Sequence, residues 1–364
     1  MPTLSLVIPC YNEENTLRSI IERVLQLQSD SLQLELIIVD DCSKDKSWEV
    51  AQSLAKDIKE LKIYRHEVNQ GKGAALRTGF LQATGDFVGI QDADMEYNPQ
   101  DYLIMLEPLL QNKADVVYGS RYLRPDTRRV LYYWHTWMNK TLTQCSNMFT
   151  NLDITDMETC YKLFRREVIQ EIAPNLKENR FGFEPEVTAY VARNRYRVYE
   201  CAIQYTPRTI EEGKKINWKD GVRALYCIFH YSASFAPLPM QLILYFLIGG
   251  FCALMNLLSF CLLYYLNVDF TIATISSFII AAILNYFLCI SILFRHKARW
   301  NSFSEIVIYL FTVSIMGCFD YFCTLGFCYF MTTTWSKAWS SFFGFVGNFV
   351  FRKFLVFSEH KCKR

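Results

Sequence analysis

Apolar and polar positions alternate in blocks along the first 120 residues. Residues 4–9 form a short apolar run, and 15–27 then place Leu17, Ile20, Ile21, Val24 and Leu25 at helical spacing. Residues 34–39 read as a second strand, followed by Asp45 as a helix N-cap and by Trp48, Val50, Ala51, Leu54 and Ala55 on a helix. Residues 62–65 and 87–91 are further strands with a helix over 73–83 between them. Asn98-Pro99 opens another helix as N-cap and first-turn proline, and 115–118 is a fifth strand. Strands and helices in alternation predict an α/β fold with a mostly parallel sheet.

The pattern changes after residue 239. Between Met240 and Phe294 there is no Lys, Arg or Glu, and Asp269 is the sole acid. Residues 242–265 and 270–294 are each long enough to cross a bilayer, for which about 20 residues suffice. Two weaker spans follow, 306–330 with Asp320 inside it and 339–357 ending near Arg352 and Lys353. Basic residues precede the first span, separate the second from the third (Arg295, His296, Lys297, Arg299) and close the chain. By the positive-inside rule the first 235 or so residues and the C-terminus are cytoplasmic. The first apolar stretch is too short for a signal peptide. Just before the spans, Trp218, Val222, Leu225 and Phe229 form one helical stripe flanked by Lys215, Lys219 and Arg223, as in a helix lying in the membrane interface. A core helix of the α/β domain is the alternative. The expected organisation is an α/β domain over 1–210, an interfacial linker over 211–238 and an all-α transmembrane bundle over 239–358.

A formal net charge of +2 argues against a nucleic-acid partner. Thirteen cysteines and five histidines are scattered, with no Cys-x-x-Cys and no metal-binding cluster. The polar residues that stand out follow the strands: Tyr11 and Glu13 after the first, Asp40 and Asp41 after the second, Asp92, Asp94 and Glu96 after the fourth, Ser120 and Arg121 after the fifth. In such sheets ligands collect outside the carboxyl ends of the strands. Two aspartates one residue apart at a strand end suit a divalent cation that holds a diphosphate, although any one such acid also suits a solvated turn. Gly71-Lys72-Gly73 lacks the spacing of a nucleoside-triphosphatase loop. A helix N-terminus with two glycines and a lysine still suits an anion.

Together, Val7-Ile8-Pro9-Cys10-Tyr11-Asn12-Glu13-Glu14, Val39-Asp40-Asp41-Cys42-Ser43-Lys44-Asp45, Gln70-Gly71-Lys72-Gly73-Ala74-Ala75, Asp92-Ala93-Asp94, Gly119-Ser120-Arg121-Tyr122 and the stretches 156–166 and 205–215 resemble the family 2 glycosyltransferases of GT-A fold. Within that family the likeness is to the dolichyl-phosphate mannose synthase and polyprenyl-phosphate glycosyltransferase branch, and the four spans look like its GtrA-like membrane module. The resemblance implies a Rossmann-like catalytic domain with Pro9, Tyr11, Glu13, Asp40 and Asp41 around the nucleotide and Lys72 beside its phosphates. It implies Mg²⁺ or Mn²⁺ on Asp92 and Asp94, with Glu96 standing where the family often has Gln as a further ligand. Arg121 would face an acceptor phosphate, and Arg208 with Lys214 or Lys215 would clamp the donor diphosphate. Two departures are Cys42 in place of the usual glycine and Lys214 where many relatives have serine.

The implied activity is inverting transfer of a hexose from a nucleotide sugar, of GDP-mannose or UDP-glucose type, to a polyprenyl or dolichyl phosphate at a bilayer. Asp94, Arg121, Arg208 and Lys215 would carry the transfer, and Asp156 and Glu158 would either orient the sugar or hold the 156–163 turn. The enzyme would sit in the plasma or inner membrane if bacterial and in the endoplasmic reticulum if eukaryotic, and the reading is compatible with a homo-oligomer. A contrasting reading is a transporter of lipid-linked sugar with a vestigial nucleotide-binding domain. Asp320 within a span favours it, and the full set of charged strand-end residues disfavours it.

Overall fold

The strands β1 (Thr3–Cys10), β2 (Gln33–Asp40), β3 (Leu61–Arg65), β4 (Phe87–Ile90) and β5 (Val116–Ser120) alternate with helices α1 (Leu17–Leu25), α2 (Ser47–Asp57), α3 (Lys72–Gln82) and α4 (Asp101–Leu110). Each element expected in this stretch is present in the computed structural model, with ends shifted by no more than two residues. The structure describes residues 1–123, 129–207 and 218–294, and isolated positions between 308 and 351. It divides into two compact units, Met1–Ala236 and Pro237–Arg364.

Two further strands, β6 (Lys162–Arg165) and β7 (Val198–Ala202), complete a seven-stranded sheet of order β3-β2-β1-β4-β6-β5-β7. β6 lies antiparallel between β4 and β5, and the other pairings are parallel. β4 and β5 are buried along their whole length and β2 over all but its first residue, which is why they read as continuous apolar runs. From β1 the chain steps outward through β2 to β3, then returns to place β4 on the opposite side of β1. This reversal opens a crevice at the carboxyl ends of β1 and β4, the position where open α/β sheets bind ligands.

Helices α5 (Tyr133–Thr150), α6 (Arg166–Ile172), α7 (Phe183–Arg193) and α8 (Trp218–Ser232) also belong to the first unit. α8 packs on α5 and α7 through the buried Ala224, Cys227 and Ile228. The stripe expected to face a membrane is divided: Phe229 stands edge-on to Phe149 of α5 at 4.9 Å, whereas Trp218 (74% exposed), Val222 and Leu225 point outward. Neighbouring α5 opens with Tyr133, Trp134 (73% exposed) and Trp137, also exposed. Thus α8 serves the core with one face and offers an apolar surface with the other.

In the second unit, α9 (Leu238–Tyr265) and α10 (Phe270–Leu288) coincide with the first two expected spans, the latter continued by a π-type stretch over Cys289–Phe294. At 28 residues α9 runs ~42 Å and is apolar enough to cross a membrane. Its Phe246, Leu247, Leu258 and Leu262 are exposed, as they would be to lipid. The expected third and fourth spans fall where only isolated positions are described, and Asp320 lies outside the described residues.

Candidate active site

The loops after β1 and β2 are bonded to each other residue by residue. Asn12, held in the left-handed region at φ 56°, receives Lys44 N on its side-chain oxygen at 2.8 Å and donates its own N–H to Ser43 Oγ at 3.0 Å. Glu13 N–H donates to Ser47 Oγ (2.8 Å), and Lys46 N–H donates to Glu14 Oε2 (3.0 Å). These side chains satisfy backbone groups that a turn leaves without ladder partners. The Tyr-Asn-Glu-Glu and Asp-Asp-Cys-Ser segments therefore form one rigid rim above the sheet.

The two aspartates of that rim have different duties. Both oxygens of Asp41 have internal partners: Oδ1 receives Gln70 N (2.9 Å) and lies 2.7 Å from His66 Nδ1, and Oδ2 receives Gly71 N (2.6 Å). The N–H groups of Gln70 and Gly71, just before α3, are thus taken by this carboxylate. Asp40, fully buried, receives Ser43 N and pairs with Arg65 through Oδ2, while its Oδ1 has no partner. The glycines flanking Lys72 serve packing. A Cβ on Gly71, at φ 104°, would lie 2.4 Å from Asn179 O, and one on Gly73 would lie 2.3 Å from Glu178 O. The close backbone approach of 178–180 across the start of α3 admits only glycine there. Lys72 emerges from this arrangement with its ammonium 2.9 Å from Asp92 and 3.5 Å from Glu184.

A cavity of about 530 Å³ occupies the crevice. Of the residues singled out from the sequence, Pro9, Tyr11, Glu13, Asp41, Lys72, Asp92, Asp94, Glu96 and Arg121 line it together. Asp40 lies behind the wall, and Arg208, Lys214 and Lys215 lie outside the described residues. Glu96 receives the Tyr205 hydroxyl at 2.7 Å, and its carbonyl receives Thr206 N, so the chain enters the 208–217 segment from a point tied to the acidic loop. Arg121 is buried and locked to the fully buried Asp156 by Nε (2.7 Å) and a terminal nitrogen (2.8 Å), with its backbone N–H on the same carboxylate. Its guanidinium also lies 5.2 Å from the centre of the Tyr205 ring. α5 and α8 supply another wall, through residues such as Asn139 and Ala224.

Two acids of the wall, Glu184 and Glu158, and the fully buried Asp156 behind it went unannounced or undecided in the sequence. Glu184, in the first turn of α7, is only 4% exposed and has one oxygen without a partner. Glu158 likewise has a buried oxygen without a partner, and burial together with the charge of Glu184 pushes its carboxyl up to about 8. Asp156 holds Arg121. Among the described residues no group of three or more Asp, Glu, Cys or His side chains is placed to hold a metal ion, so Asp92, Asp94 and Glu96 do not converge as a ready three-ligand set. Mg²⁺ carried on a phosphate ligand needs only one or two protein carboxylates. Asp92 and Asp94, hard oxygen donors on the same cavity wall, fit such an ion.

Comparison with known proteins follows the same division. A glycosyl transferase family 2 model matches residues 5–173, and a GtrA/DPMS transmembrane domain model matches 244–357. A dolichyl-phosphate beta-glucosyltransferase of Trichomonas vaginalis is 30% identical over 217 residues, 56% of this chain and 65% of that protein. A dolichol-phosphate mannosyltransferase of Pyrococcus furiosus is 28% identical over 174 residues, 47% of this chain and 49% of that protein. The chain therefore spans less than two thirds of the length of these relatives. Among solved structures, glucosyl-3-phosphoglycerate synthase of Mycobacterium tuberculosis, crystallised with Mn²⁺, UDP and glucosyl-3-phosphoglycerate, shares the fold. Its TM-score is 0.50 at 17% identity, covering 64% of this chain and 80% of that one. This chain thus carries a family 2 glycosyl transferase domain followed by a GtrA/DPMS transmembrane domain.

Proposed function

We propose that the protein transfers a hexose from a nucleotide sugar to a polyprenyl or dolichyl phosphate, with inversion at the anomeric carbon. The observation that carries this reading is the cavity itself. One side gathers Asp92, Asp94 and Lys72 at the end of β4 and the start of α3, Arg121 stands at the end of β5, and α5 and α8 close the remaining side with their outer faces rich in exposed aromatics. A nucleotide sugar suits the first side. A lipid phosphate, its headgroup in the cavity and its chain in the bilayer, suits the last. The matched relatives act on dolichyl phosphate by name, one as a glucosyltransferase and one as a mannosyltransferase, so the reading extends to a hexose without choosing between these.

The acceptor phosphate is already anionic at neutral pH, so no side chain has to remove a proton to make the nucleophile. The obstacle is charge: an anion approaches a donor whose leaving diphosphate also becomes more negative. Arg121, preorganised by Asp156, would face the acceptor, and Lys72 would face the donor diphosphate. Arg208 with Lys214 or Lys215 would close over it. Catalysis would then be placement plus fixed charge. When bound on Asp92 and Asp94, with Glu96 as a further oxygen donor, a divalent cation supplies neutralisation of the diphosphate. Pro9, Tyr11 and Glu13, which line the cavity, are the candidates for nucleotide contact, with Asp40 supporting the rim from behind the wall and Asp41 holding the loop that aims Lys72. In the same reading residues 1–210 are the catalytic domain, 211–238 the interfacial linker and 239–358 a four-span bundle, with the catalytic domain and the C-terminus in the cytoplasm.

The test is transfer from radiolabelled GDP-mannose and UDP-glucose to a polyprenyl phosphate by the purified full chain in detergent. Transfer by the wild type, abolished by EDTA and by Asp94→Asn, is expected. Undiminished transfer in either condition overturns the metal assignment, and no transfer from any nucleotide sugar overturns the enzyme reading.

A further inference from the structure

We infer that Glu158 and Glu184 form the wall that receives the hexose of the donor, and that Glu158 is its specificity-determining residue. The inference rests on the transferase reading above and goes beyond it by saying which side chains read the sugar and which sugars they refuse.

The turn that carries Glu158 is fastened on both sides of it. Asp156 is held by Arg121, Met157 N–H donates to Thr143 Oγ1 at 3.1 Å, and the buried Lys162 ammonium donates to the carbonyls of Met157 (2.9 Å) and Thr159. Within this fixed frame two side-chain atoms are buried without a partner, Glu158 Oε1 and Thr159 Oγ1, and of the two residues Glu158 is the one that lines the cavity. Glu184 reaches the same cavity from α7. It is 4% exposed, its Oε1 is 3.5 Å from the Lys72 ammonium, and its Oε2 has no partner. Two carboxyl oxygens from separate elements are thus desolvated and unsatisfied at one wall. Native proteins seldom leave such groups without a ligand or an ordered water, because each costs the full penalty of its desolvation.

What completes them is decided by charge. A phosphate is repelled by Glu184 and has Lys72 to go to instead. A neutral, hydroxyl-rich molecule brings several O–H groups to a wall that lacks them. Glu158, its proton retained near neutral pH by burial and by the Glu184 charge, both donates to a hydroxyl and accepts from one, whereas Glu184 accepts. The wall therefore selects a neutral hexose and refuses a hexuronate, whose carboxylate would be desolvated against that of Glu184.

The experiment is equilibrium binding to the full-length protein in detergent with Mn²⁺ and without acceptor. It compares UDP and GDP with their glucose and mannose conjugates and with the matching hexuronate conjugate. The wild type should bind its neutral conjugate at least about tenfold tighter than the hexuronate counterpart. Glu158→Ala should weaken the neutral conjugate by about tenfold or more, Glu158→Gln, which keeps a donor and an acceptor, by no more than about threefold, and both should bind the bare nucleotide as the wild type does. The bare nucleotide also reports that the fold is intact. The inference is overturned by equal affinity for hexose and hexuronate conjugates in the wild type, by a parallel loss of nucleotide and conjugate in Glu158→Ala, or by no loss at all. Failure of the wild type to bind either bare nucleotide would instead overturn the transferase reading on which the inference rests.

Discussion

Replacing Arg121 by alanine strands a carboxylate in the interior. Asp156 is fully buried and accepts three hydrogen bonds from Arg121, two from the guanidinium at 2.7 and 2.8 Å and one from the backbone. Only the backbone bond survives the substitution. Breaking a buried pair by removing one partner costs about 3–5 kcal/mol, most of it the uncompensated charge. For a folding unit of this size, each kcal/mol lowers Tm by roughly 2–4 °C, so the first unit should melt roughly 6–20 °C earlier. Lysine should not rescue it, since a point charge cannot bridge both carboxylate oxygens as the planar fork does. The informative variant is the double change Arg121→Met with Asp156→Leu. It removes both charges and fills the space, and such replacements are often neutral in stability. If Arg121 also serves the acceptor phosphate, the double variant should recover most of the Tm yet transfer sugar about 10²–10³-fold more slowly than the wild type. Calorimetry of the detergent-solubilised chain and the radiolabel assay read the two quantities separately. A Tm within 2 °C of wild type for Arg121→Ala would refute the ion-pair argument. Full transfer by the double variant would remove Arg121 from the chemistry.

Two other outcomes follow from the geometry. Lys72 sits on the Asp92 carboxylate that a divalent cation would use, at 2.9 Å, so Lys72→Met should tighten Mn²⁺ binding in the absence of nucleotide by a few-fold and weaken nucleotide diphosphate binding. Titration by Mn²⁺ electron paramagnetic resonance measures the first, and unchanged Mn²⁺ affinity would show that lysine and metal do not compete. At the other end of the sheet, Glu35 is buried, yet hydrogen bonds from Lys62, Ser5 and Thr84 outweigh that burial and hold its carboxyl at about 2 against an ordinary 4.5. A depressed carboxyl stabilises fully above its unfolded value and loses that contribution as pH falls from 4.5 toward 2. Glu35→Gln should therefore cost about 2–3 kcal/mol at pH 7 and much less at pH 3, checked by denaturant titration at both. A deficit that is the same at the two pH values would contradict it.

The parallel half of the sheet was readable because physics writes it plainly. β1, β2 and β4 are covered on both faces, so they appear as apolar runs, and the helices between them bury one stripe each. β6 and β7 carry no such signature. β6 is four residues long and includes the buried Lys162, whose ammonium finds its partners in the carbonyls of the preceding turn, and β7 is only half-buried. A charged residue in a short run argues against a strand until the carbonyls that receive it are known. α8 was ambiguous for a real reason: both readings of it describe one of its faces. Its inner face packs on α5 and α7, and Arg223, paired with Glu178 at 2.8 Å, fastens it to the strap over α3.

The site divides along the same line between local and distant causes. Which residues stand at strand ends follows from local pattern, and nine of those singled out meet in one cavity. Which of two adjacent aspartates keeps an oxygen without a partner does not: Asp40 Oδ1 has none, whereas Asp41 is occupied by the N–H groups of Gln70 and Gly71, some thirty positions away in the chain. Glu184 looks in sequence like any acid complementing a helix dipole in the first turn. Only the fold brings it to Lys72 and Glu158. Cys42 is the converse case. Its φ of 60° explains why relatives use glycine there, and its weak Sγ contact to the Glu67 carbonyl at 3.5 Å cannot offset that backbone cost. The rim nevertheless keeps its shape, because Asn12, Ser43 and Lys44 pin the turn through bonds that do not involve residue 42. Tolerance at that position is thus a property of the interlock between two loops, and a change at Asn12 should disturb the nucleotide side of the cavity more than a change at Cys42 itself.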